Sequence, residues 1–547
     1  MISVRDSVRR DADFNRIWSL PIRKGHDWGS TAAQLTKAFR RPGGTMEIRP
    51  HQAQMAIEAY DNGGLFAAAP VGSGKTLPSF LIPTFFGAQR PLLLLRASLK
   101  PQAVSDLLRY GQHFRLATNI KMLTYELLSQ PDAQEILYKL QPDLVILDEA
   151  QKLKNLSTAR ARRFFQYVED MGIRLVCLSG SMVRKRLRDF HHLMVSSLPD
   201  GAAPIPYDDE TFYQWSQCLD TGVESFERAH PGPLMDLAER FHVPPSPDWL
   251  ERARQGFARR MESTPGVVVL HRSSCSTPLK IRERSLPVPK IISDAMDTLR
   301  QSWEAPNGDE CDSKLELWRY MRELACGFYS IWDPHPPKAW LAARKAWRRF
   351  VRDVLKRGDS KLDSPFHVAN AYEDHPLHVA WKEIEPTYEP ETIPVWVDDF
   401  LVRDAAEWLR RTGGIAWVEH ITVGEHIAAA AGVRYYGGGP ASARDILHAK
   451  GPIVCSIHAH REGRNLQRYT DNLIVSCIPS GDAWEQTIGR SHRDGQDLPV
   501  NAEVYLHCQE LRESLLTAVE DARYTKDIMG QDQKLLLAQI EVEGIGG

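Results

Sequence analysis

The sequence predicts an α/β protein with two domains, each built on a mostly parallel sheet, and a helical segment inserted between them. The first observation is a set of apolar segments that alternate with helical-looking stretches: GGLFAAAP, PLLLLRA, DLVILDEA, RLVCLSGS and GVVVLHR. A second set lies nearer the C-terminus and comprises GGIAWVEH, GPIVCSIHA, DNLIVSCIP and AEVYLH. The third observation is length, because 547 residues exceed what one hydrophobic core supports.

Changes in pattern along the chain mark the predicted domain boundaries. The N-terminal extension ends at the turn-forming RRPGGT, and the region between the two sheets is rich in helix formers and aromatic residues. That region closes with EIEPTYEPETIPVW, which we interpret as a linker because Pro386, Pro390 and Pro394 interrupt any continuous helix. The predicted segments are an extension (1–45), a first sheet domain (46–289), a helical insertion with its linker (290–394), a second sheet domain (395–523) and a tail (524–547).

Composition and charge narrow the class of protein. The formal charge of −2 and the pI near 6.8 indicate no global basic field, so a nucleic-acid partner would have to be held by local patches. Eight cysteines include no CxxC pair and no Cys/His cluster at zinc spacing, which favours reduced, intracellular thiols. The N-terminus has no apolar signal region, and no segment approaches the length that crosses a bilayer. We therefore expect a cytoplasmic protein that does not use a membrane.

A candidate phosphate loop follows the first apolar segment, in FAAAPVGSGKTLPSF. It fits the pattern GxxxxGK[ST] except that Ala69 replaces the first glycine. Glycines allow backbone N–H groups to turn towards phosphate oxygens, the lysine adds a charge near the β and γ phosphates, and the threonine hydroxyl binds Mg²⁺. The alternative is a glycine turn with a surface lysine. The predicted loop residues are Gly72, Ser73, Gly74, Lys75 and Thr76.

Two adjacent carboxylates end another apolar segment, in LVILDEAQKLKN. The carboxyl ends of parallel strands carry the ligand site of open sheets, which places Asp148 and Glu149 at such a site. Taken alone, the two carboxylates could simply lie at a strand end that is exposed to solvent. Paired with the phosphate loop, Asp148 is the expected second ligand of Mg²⁺, with Thr76, and Glu149 is the expected base for the attacking water.

A third motif, WEQTIGRSHRDGQ, contains Arg490 and Arg493, with Gln486 just before them. On a helix, a spacing of three residues places both guanidinium groups on one face. The face could simply be solvated. Because the chain also contains a phosphate loop, the two arginines are candidate arginine fingers that stabilise charge on the leaving phosphate.

In their order along the chain, these motifs resemble those of superfamily 2 helicases, and within them the Swi/Snf-type DNA translocases. This resemblance implies two RecA-like lobes with ATP hydrolysed between them. IRPHQ resembles the adenine-reading element, which implies that Gln52 contacts the base and that Arg49 and Pro50 shape its pocket. RASLKPQ and MLTYELL look like strand-contacting motifs, which implies that Ser98 and Thr124 lie near a nucleic-acid backbone.

Two further segments complete the resemblance. SGSMVRKRL is similar to the motif that couples hydrolysis to lobe movement, which implicates the Ser179-Gly180-Ser181 turn. HREGRNLQ looks like the fifth motif of the family, which implicates Gly463 and Asn465, with Gly463 at the nucleotide and Arg461 at the DNA backbone. The sequence departs from the family in the basic RKRLR and in the histidine and arginine that replace common glycines. The catalytic residues implied are Lys75, Asp148, Glu149, Gln486, Arg490 and Arg493.

One basic stretch lies outside these motifs, in ARKAWRRFVRDVLKR of the predicted insertion. Arg344, Arg348 and Arg352 recur every four residues, opposite an apolar face that includes Trp347 and Val351. This pattern predicts an amphipathic helix packed on a lobe. Its basic face is either a phosphate-holding patch or an ordinary solvated surface.

The leading interpretation is an ATP-driven, Mg²⁺-dependent motor that moves along double-stranded DNA without separating its strands. One alternative is a strand-separating DNA or RNA helicase, and another is a nucleotide-gated scaffold with little turnover. The scaffold would be indicated by a damaged catalytic residue, whereas the catalytic residues named above are all present. The nucleic acid that stimulates ATP hydrolysis distinguishes the two motors.

Overall fold

The computed structural model describes residues 7–133, 135–183, 185–271, 275–308, 311, 313–357, 362–389, 391–461, 463 and 465–542. Arg184 of the basic RKRLR segment and Pro390 of the expected linker lie outside these residues. The chain forms two compact units. The first contains 1–274 and 521–533, and the second contains 275–520 and 534–547.

A six-stranded parallel sheet organises the first unit, in the order β3-β2-β4-β5-β1-β6. Because every strand runs in the same direction, the carboxyl ends of all six lie along one edge. The five apolar segments predicted for this region each contain one strand, and β3 is the strand that the apolar pattern did not predict. The strands are β1 (Leu65–Ala68), β2 (Pro91–Leu95), β3 (Lys121–Thr124), β4 (Leu144–Asp148), β5 (Arg174–Ser179) and β6 (Val267–Val269).

Both faces of this sheet are buried, as expected for strands with continuous apolar runs. In β4, Val145 and Leu147 point into one hydrophobic core, and Leu144 and Ile146 point into the other. Helices that contribute to these cores include α1 (Ala12–Ser19), α2 (Trp28–Phe39), α3 (Pro50–Asn62), α4 (Thr76–Phe86), α5 (Lys100–His113), α6 (Ile136–Leu140), α7 (Ala159–Met171), α8 (His191–Ser197), α9 (Asp209–Leu219), α10 (Leu234–Arg240) and α11 (Trp249–Glu262).

The second unit contains a seven-stranded parallel sheet in the order β11-β12-β10-β13-β14-β7-β15. The four apolar segments predicted here contain β10, β12, β13 and most of β14. A separate antiparallel pair, β8 and β9, lies in the same unit. The strands are β7 (Leu279–Arg284), β8 (Phe328–Asp333), β9 (Glu391–Trp396), β10 (Ile415–Val418), β11 (Arg434–Tyr436), β12 (Ile453–Ser456), β13 (Asp471–Ile474), β14 (Val500–Tyr505) and β15 (Gln539–Glu541).

Polar side chains begin several helices of this second unit. Ser313 accepts a hydrogen bond from the Glu316 amide, and Ser480 accepts one from the Ala483 amide, so each satisfies a free donor of a first turn. The helices are α12 (Lys290–Ser302), α13 (Lys314–Ala325), α14 (Lys338–Leu355), α15 (Pro365–Ala371), α16 (Pro376–Ile384), α17 (Phe400–Thr412), α18 (Ile421–Ala431), α19 (Pro440–Asp445), α20 (Ile457–His460), α21 (Gly481–Ile488), α23 (Lys534–Leu537) and α22 (Gln509–Met529), of which the residues from 521 onward belong to the first unit.

The predicted helical insertion is present but is not followed by a linker. The last six residues of its closing segment form β9, which pairs antiparallel with β8 so that Asp333 lies opposite Glu391. Pro394 is tolerated there because β8 and β9 form a sheet of only two strands, in which a residue without an N–H group can face outward. Helices α14, α15 and α16 lie in the chain between these two strands and share a core of their own that contains Trp340, Trp347 and Trp381.

The two units also differ in extent from the predicted domains. Strand β7 belongs to the second sheet, where it pairs with β14, although the first domain was predicted to reach 289. Residues 521–533 belong to the first unit, where Tyr524 and Ile528 join its core. None of the helices among the described residues has the length and apolar character needed to span a bilayer.

Candidate functional site

The phosphate loop connects β1 to α4 at the carboxyl edge of the first sheet. Gly72 and Gly74 adopt φ values of +87° and +80°, a region that favours glycine and allows the chain to turn tightly. Lys75 follows immediately and is only 8% exposed. The Ser73 hydroxyl is buried, and no hydrogen-bond partner for it occurs among the described residues. The sequence pattern therefore forms a turn of the kind that a phosphate-binding loop requires.

Two consecutive side chains of α3 hold the main chain of this loop. His51 Nε2 lies 2.7 Å from the Ser73 carbonyl oxygen, and because a carbonyl only accepts, the ring nitrogen is the donor. Gln52 Nε2 donates to the Gly74 carbonyl oxygen at 3.0 Å, and Gln52 Oε1 accepts from the Arg49 amide at 2.9 Å. The IRPHQ motif thus begins a helix and fixes the phosphate loop at the same time.

Lys75 and Glu149 lie close together, although they are far apart in the sequence. Lys75 Nζ is 4.0 Å from Glu149 Oε1 and donates to the Ala69 carbonyl oxygen at 2.8 Å. A Cβ added at Gly180 would approach Lys75 Nζ to 3.3 Å, so the turn after β5 also borders this ammonium. The phosphate loop, the acidic pair and the Ser-Gly-Ser turn therefore meet at one edge of the sheet.

A hydrogen-bonded chain connects Glu149 to the turn after β5. Gln151 Nε2 donates to Glu149 Oε2 at 2.7 Å, and the Ser179 hydroxyl donates to Gln151 Oε1. The Ser181 amide in turn donates to Ser179 Oγ at 3.0 Å. Glu149 itself has φ of +58°, a left-handed conformation that is uncommon outside glycine and places it at a sharp bend after β4. The DEAQ and SGS motifs form one connected network.

Thr76 and Asp148 are the two residues predicted to bind a metal ion. Thr76 begins α4 directly after the phosphate loop, and Asp148 is the last residue of β4. The Asp148 carbonyl oxygen accepts from the buried Tyr125 hydroxyl at 2.9 Å, which fixes the end of the strand. A carboxylate and a hydroxyl are oxygen donors of the type that Mg²⁺ prefers, so this donor set fits the predicted ion.

Ser98 and Thr124, predicted to contact nucleic acid, follow or end neighbouring strands. Leu95 of β2 is paired with Thr124 of β3, and Ser98 lies in the short 3₁₀ helix just after β2. Both residues are partly exposed. They therefore occupy the same edge of the sheet as the phosphate loop, towards its β3 side.

The second unit places Arg490 and Arg493 differently from the prediction. Helix α21 ends at Ile488, so both arginines lie in the turns that follow it and not on one helix face. Arg490 is 3% exposed, and its Nε donates to the Gln486 carbonyl oxygen at 2.9 Å. Burial lowers the pKa of the Arg493 guanidinium. Gly489, at the C-cap of the helix, was the sequence signal for this ending.

The fifth motif and the arginine turns are joined by hydrogen bonds. The Leu466 amide donates to the Arg490 carbonyl oxygen at 3.1 Å, and Gln467 Nε2 donates to the Asp494 carbonyl oxygen at 2.6 Å. Gly463 has φ of +74°, and Arg461 forms the C-cap of α20. Two motifs that are distant in sequence are thus neighbours at the carboxyl ends of β12 and β13.

The basic stretch of the insertion forms α14, as the spacing predicts. Its apolar face contacts α15 and α16, the helices of its own core, whereas the sequence predicted packing on a lobe. Arg344 stacks against Trp332 and Trp340, with 5.0 Å from Cζ to each ring centroid. Arg348 and Arg352 are exposed.

The sequence predicted the charged residues of this site but not the residues whose hydrogen bonds position them. Neither His51 nor Gln151 was assigned a role, although both lie inside motifs that had drawn attention. Their partners, Ser73 and Ser179, are 22 and 28 residues away, so no local pattern marks these contacts. Comparison with known proteins adds no assignment, because no protein-family model and no curated protein matches this chain.

Proposed function

We propose that this protein is an ATP-dependent DNA translocase of the Swi/Snf type, with two RecA-like lobes that hydrolyse ATP between them. The observation that carries the proposal is the meeting of the glycine turn, Lys75 and Glu149 at the carboxyl edge of a parallel sheet. In open α/β sheets this edge is where ligands bind. The order of the remaining motifs along the chain supports this class of motor.

In this proposal, the residues of the first unit bind the nucleotide and activate water. Gln52 and Arg49 lie beside the base, and the amides of the Gly72–Gly74 turn and the Lys75 ammonium hold the phosphates. Lys75 already donates to carbonyl oxygens, so phosphate binding exchanges these contacts for a charge-assisted one. Glu149 orients the attacking water and accepts its proton, and Gln151 keeps that carboxylate in position.

Thr76 and Asp148 would hold Mg²⁺, which supplies positive charge that offsets the charge developing on the phosphate oxygens. Gln486, Arg490 and Arg493 are proposed to complete the site from the second unit, with the arginines as fingers. Gly463 of the fifth motif is proposed to approach the nucleotide. Because Arg490 is buried, solvent screens its charge poorly, and an unscreened charge acts strongly on a nearby phosphate.

Duplex DNA is the proposed track. Ser98, Thr124 and Arg461 are assigned to its backbone by the resemblance of their motifs, and closure and opening of the lobes would alternate the grip of these residues. Strand separation requires a rigid wedge that unstacks bases. Outside the arginine motif, the sequence of the second sheet domain has no Asn-Gly or Asp-Gly turn that would signal a hairpin wedge. The proposal is therefore movement on duplex DNA without unwinding.

The decisive experiment measures ATP hydrolysis by the purified full chain with duplex DNA, single-stranded DNA and RNA in turn. We expect duplex DNA to stimulate the rate most strongly, with Lys75→Ala as the inactive control. Displacement of the third strand from a triplex would then report translocation. ATP-dependent opening of a forked duplex without triplex displacement would favour a strand-separating helicase instead. Absence of ATP hydrolysis under all conditions would favour the nucleotide-gated scaffold.

A further inference from the structure

The exposed face of α14 is unusually rich in positive charge for this protein. The helix contains six cations, Lys338, Arg344, Lys345, Arg348, Arg349 and Arg352, and one carboxylate, Asp353. The whole chain has a formal charge of −2. Since the remainder of the chain is net acidic, this helix concentrates positive charge in one place.

The spacing of these cations opposes helix stability unless an anion binds. Arg344 and Arg348, and then Arg348 and Arg352, are four residues apart, so like charges are neighbours along one face. Burial and the charge of Arg348 lower the pKa of Arg344, in agreement with this repulsion. Among the described residues, Arg348 and Arg349 have no ion-pair partner, and the contact of Arg352 is with the adjacent Asp353 at 3.8 Å.

The geometry of the face matches a row of phosphates. Arg344, Lys345, Arg348, Arg349 and Arg352 line a shallow groove on the helix. From Arg344 to Arg352 the helix rises about 12 Å. One strand of duplex DNA places a phosphate about every 3.4 Å along its axis, so this length faces about three phosphates. Arg344 is already oriented by its stacking on Trp332 and Trp340.

Other polyanionic partners fit this surface less well. A helix that inserts into an anionic membrane exposes large apolar side chains beside its cations. Here Trp340, Trp347 and Val354 are buried in the core that α14 shares with α15 and α16. Guanidinium groups that recur at a regular spacing along a helix suit the repeating phosphates of a nucleic-acid backbone.

We propose that the basic face of α14 (Arg344, Arg348, Arg349 and Arg352) is an auxiliary binding site for the phosphate backbone of duplex DNA, separate from the motifs that bear on ATP. This inference rests on the proposed function for the choice of duplex DNA as ligand. The site contacts phosphates only, so it adds affinity without base specificity. It holds the track while the motif residues change their grip.

The test measures binding of a labelled duplex by fluorescence anisotropy at salt concentrations from about 50 to about 200 mM. For Arg344→Gln/Arg348→Gln/Arg352→Gln, we expect the slope of log K against log salt to fall in magnitude by about 0.9 per lost contact, or about 2.7 in all. At about 0.1 M salt, the affinity should fall on the order of a hundredfold. ATP hydrolysis without DNA should stay at the wild-type rate, because these arginines take no part in that site.

A matched control removes three exposed cations from other helices of the same unit. Lys290, Arg319 and Arg403 each lie near a carboxylate of their own helix or its N-cap: Asp294, Glu316 and Asp399. Changing all three to glutamine removes the same net charge as the triple arginine variant and should leave the salt slope nearly unchanged. The double variant Arg348→Gln/Arg352→Gln leaves the stacked Arg344 in place and should show about two-thirds of the change in slope expected for the triple variant.

Three outcomes would overturn the inference. The first is a wild-type salt slope in the triple variant while duplex DNA still stimulates ATP hydrolysis, which leaves the proposed function intact. The second is an equal loss in the control variant, which would indicate net charge alone. The third is a triple variant that binds duplex DNA as the wild type does but no longer binds phosphatidylserine vesicles or duplex RNA. Failure of duplex DNA to stimulate wild-type hydrolysis, with the change in slope still present, would instead count against the translocase alone.

Discussion

The side-chain amide of Gln52 donates to the carbonyl oxygen of Gly74 at 3.0 Å, and a Cβ added at Gly74 would approach the same nitrogen to 2.7 Å. The first turn of α3 and the phosphate loop are therefore in direct contact. A side chain at position 74 would therefore displace Gln52, the loop or both. Two features therefore favour glycine at position 74. One is its positive φ, and the other is the close approach of the Gln52 side chain.

Gly74→Ala should destabilise the protein and weaken nucleotide binding. The residue has φ of +80°, and alanine in that conformation costs about 1 to 3 kcal/mol. Urea unfolding and binding of a fluorescent ATP analogue measure the two effects. Gly111→Ala is the matched control, because Gly111 lies within α5 and has open space beside it. That change should stabilise the helix by about 0.5 to 1 kcal/mol, and equal loss in both variants would contradict the explanation.

Lys75→Ala and Glu149→Gln should separate nucleotide binding from hydrolysis. Removing the ammonium should weaken ATP binding. In Glu149→Gln, the new side-chain amide would still accept the hydrogen bond from Gln151 but could not take a proton from water. Equilibrium binding and steady-state hydrolysis, measured on the same preparations, test both expectations. Near-normal turnover by Glu149→Gln would remove Glu149 from its proposed role.

Arg490→Ala and Arg493→Ala should each reduce turnover by a factor on the order of a thousand or more, with smaller effects on ATP affinity. The structure adds a distinction between them. Arg490 is buried and donates to the Gln486 carbonyl oxygen, so its removal should also lower the free energy of unfolding by about 1 to 3 kcal/mol. Urea unfolding together with ATP hydrolysis separates these effects. Wild-type rates in both variants would show that these turns take no part in hydrolysis.

Asp220 should make stability depend on pH. Burial raises the pKa of this carboxyl from 3.8 to about 6, although the Leu187 amide donates to it at 2.8 Å. Because the folded protein holds the proton more tightly, Asp220 adds stability below about pH 4, and this contribution is lost as the pH rises through about 6. The loss amounts to about 3 kcal/mol at most.

Urea unfolding between about pH 4 and about pH 7 measures this dependence. Asp220→Asn cannot ionise, so its free energy of unfolding should fall less steeply over this range. Some slope should remain, since burial also raises the pKa of Asp527 to about 6. Glu224→Gln, at an exposed position, serves as control and should keep the wild-type slope. Identical slopes for Asp220→Asn and the wild type would exclude Asp220 as the source.

The sequence predicted the strands whose residues are mostly buried and missed strands that contain many exposed or half-buried residues. In β4 the first four residues are fully buried, which gives a continuous apolar run. By contrast, β3, β7, β11 and β15 contain exposed or half-buried residues, and their short polar sequences resemble loops. Their place in a sheet depends on pairing with distant strands. Strand β9 was missed because its proline was interpreted as part of a linker.

At the candidate site, the sequence predicted the charged groups because they lie in short motifs whose residue types suit the binding of phosphate and metal ions. The Lys75 and Glu149 pair is an example. Contacts that only position these groups, such as the one from His51 to the Ser73 carbonyl oxygen, depend on how α3 packs beside the loop. No local rule encodes such packing. The end of α21 at Ile488 was misjudged because the arginine spacing was given more weight than Gly489.

The inclusion of 521–533 in the first unit has a consequence for biosynthesis. Tyr524 is fully buried there, with its hydroxyl 3.2 Å from Asp220 and its ring beneath Arg254. A ribosome completes all of 275–520 before these residues emerge, which takes roughly 10 to 50 s at about 5 to 20 residues per second. During that interval the nascent first unit exposes the apolar surface that Tyr524, Ile528 and Met529 later cover. We therefore expect chaperones to bind the growing chain until translation has passed this segment.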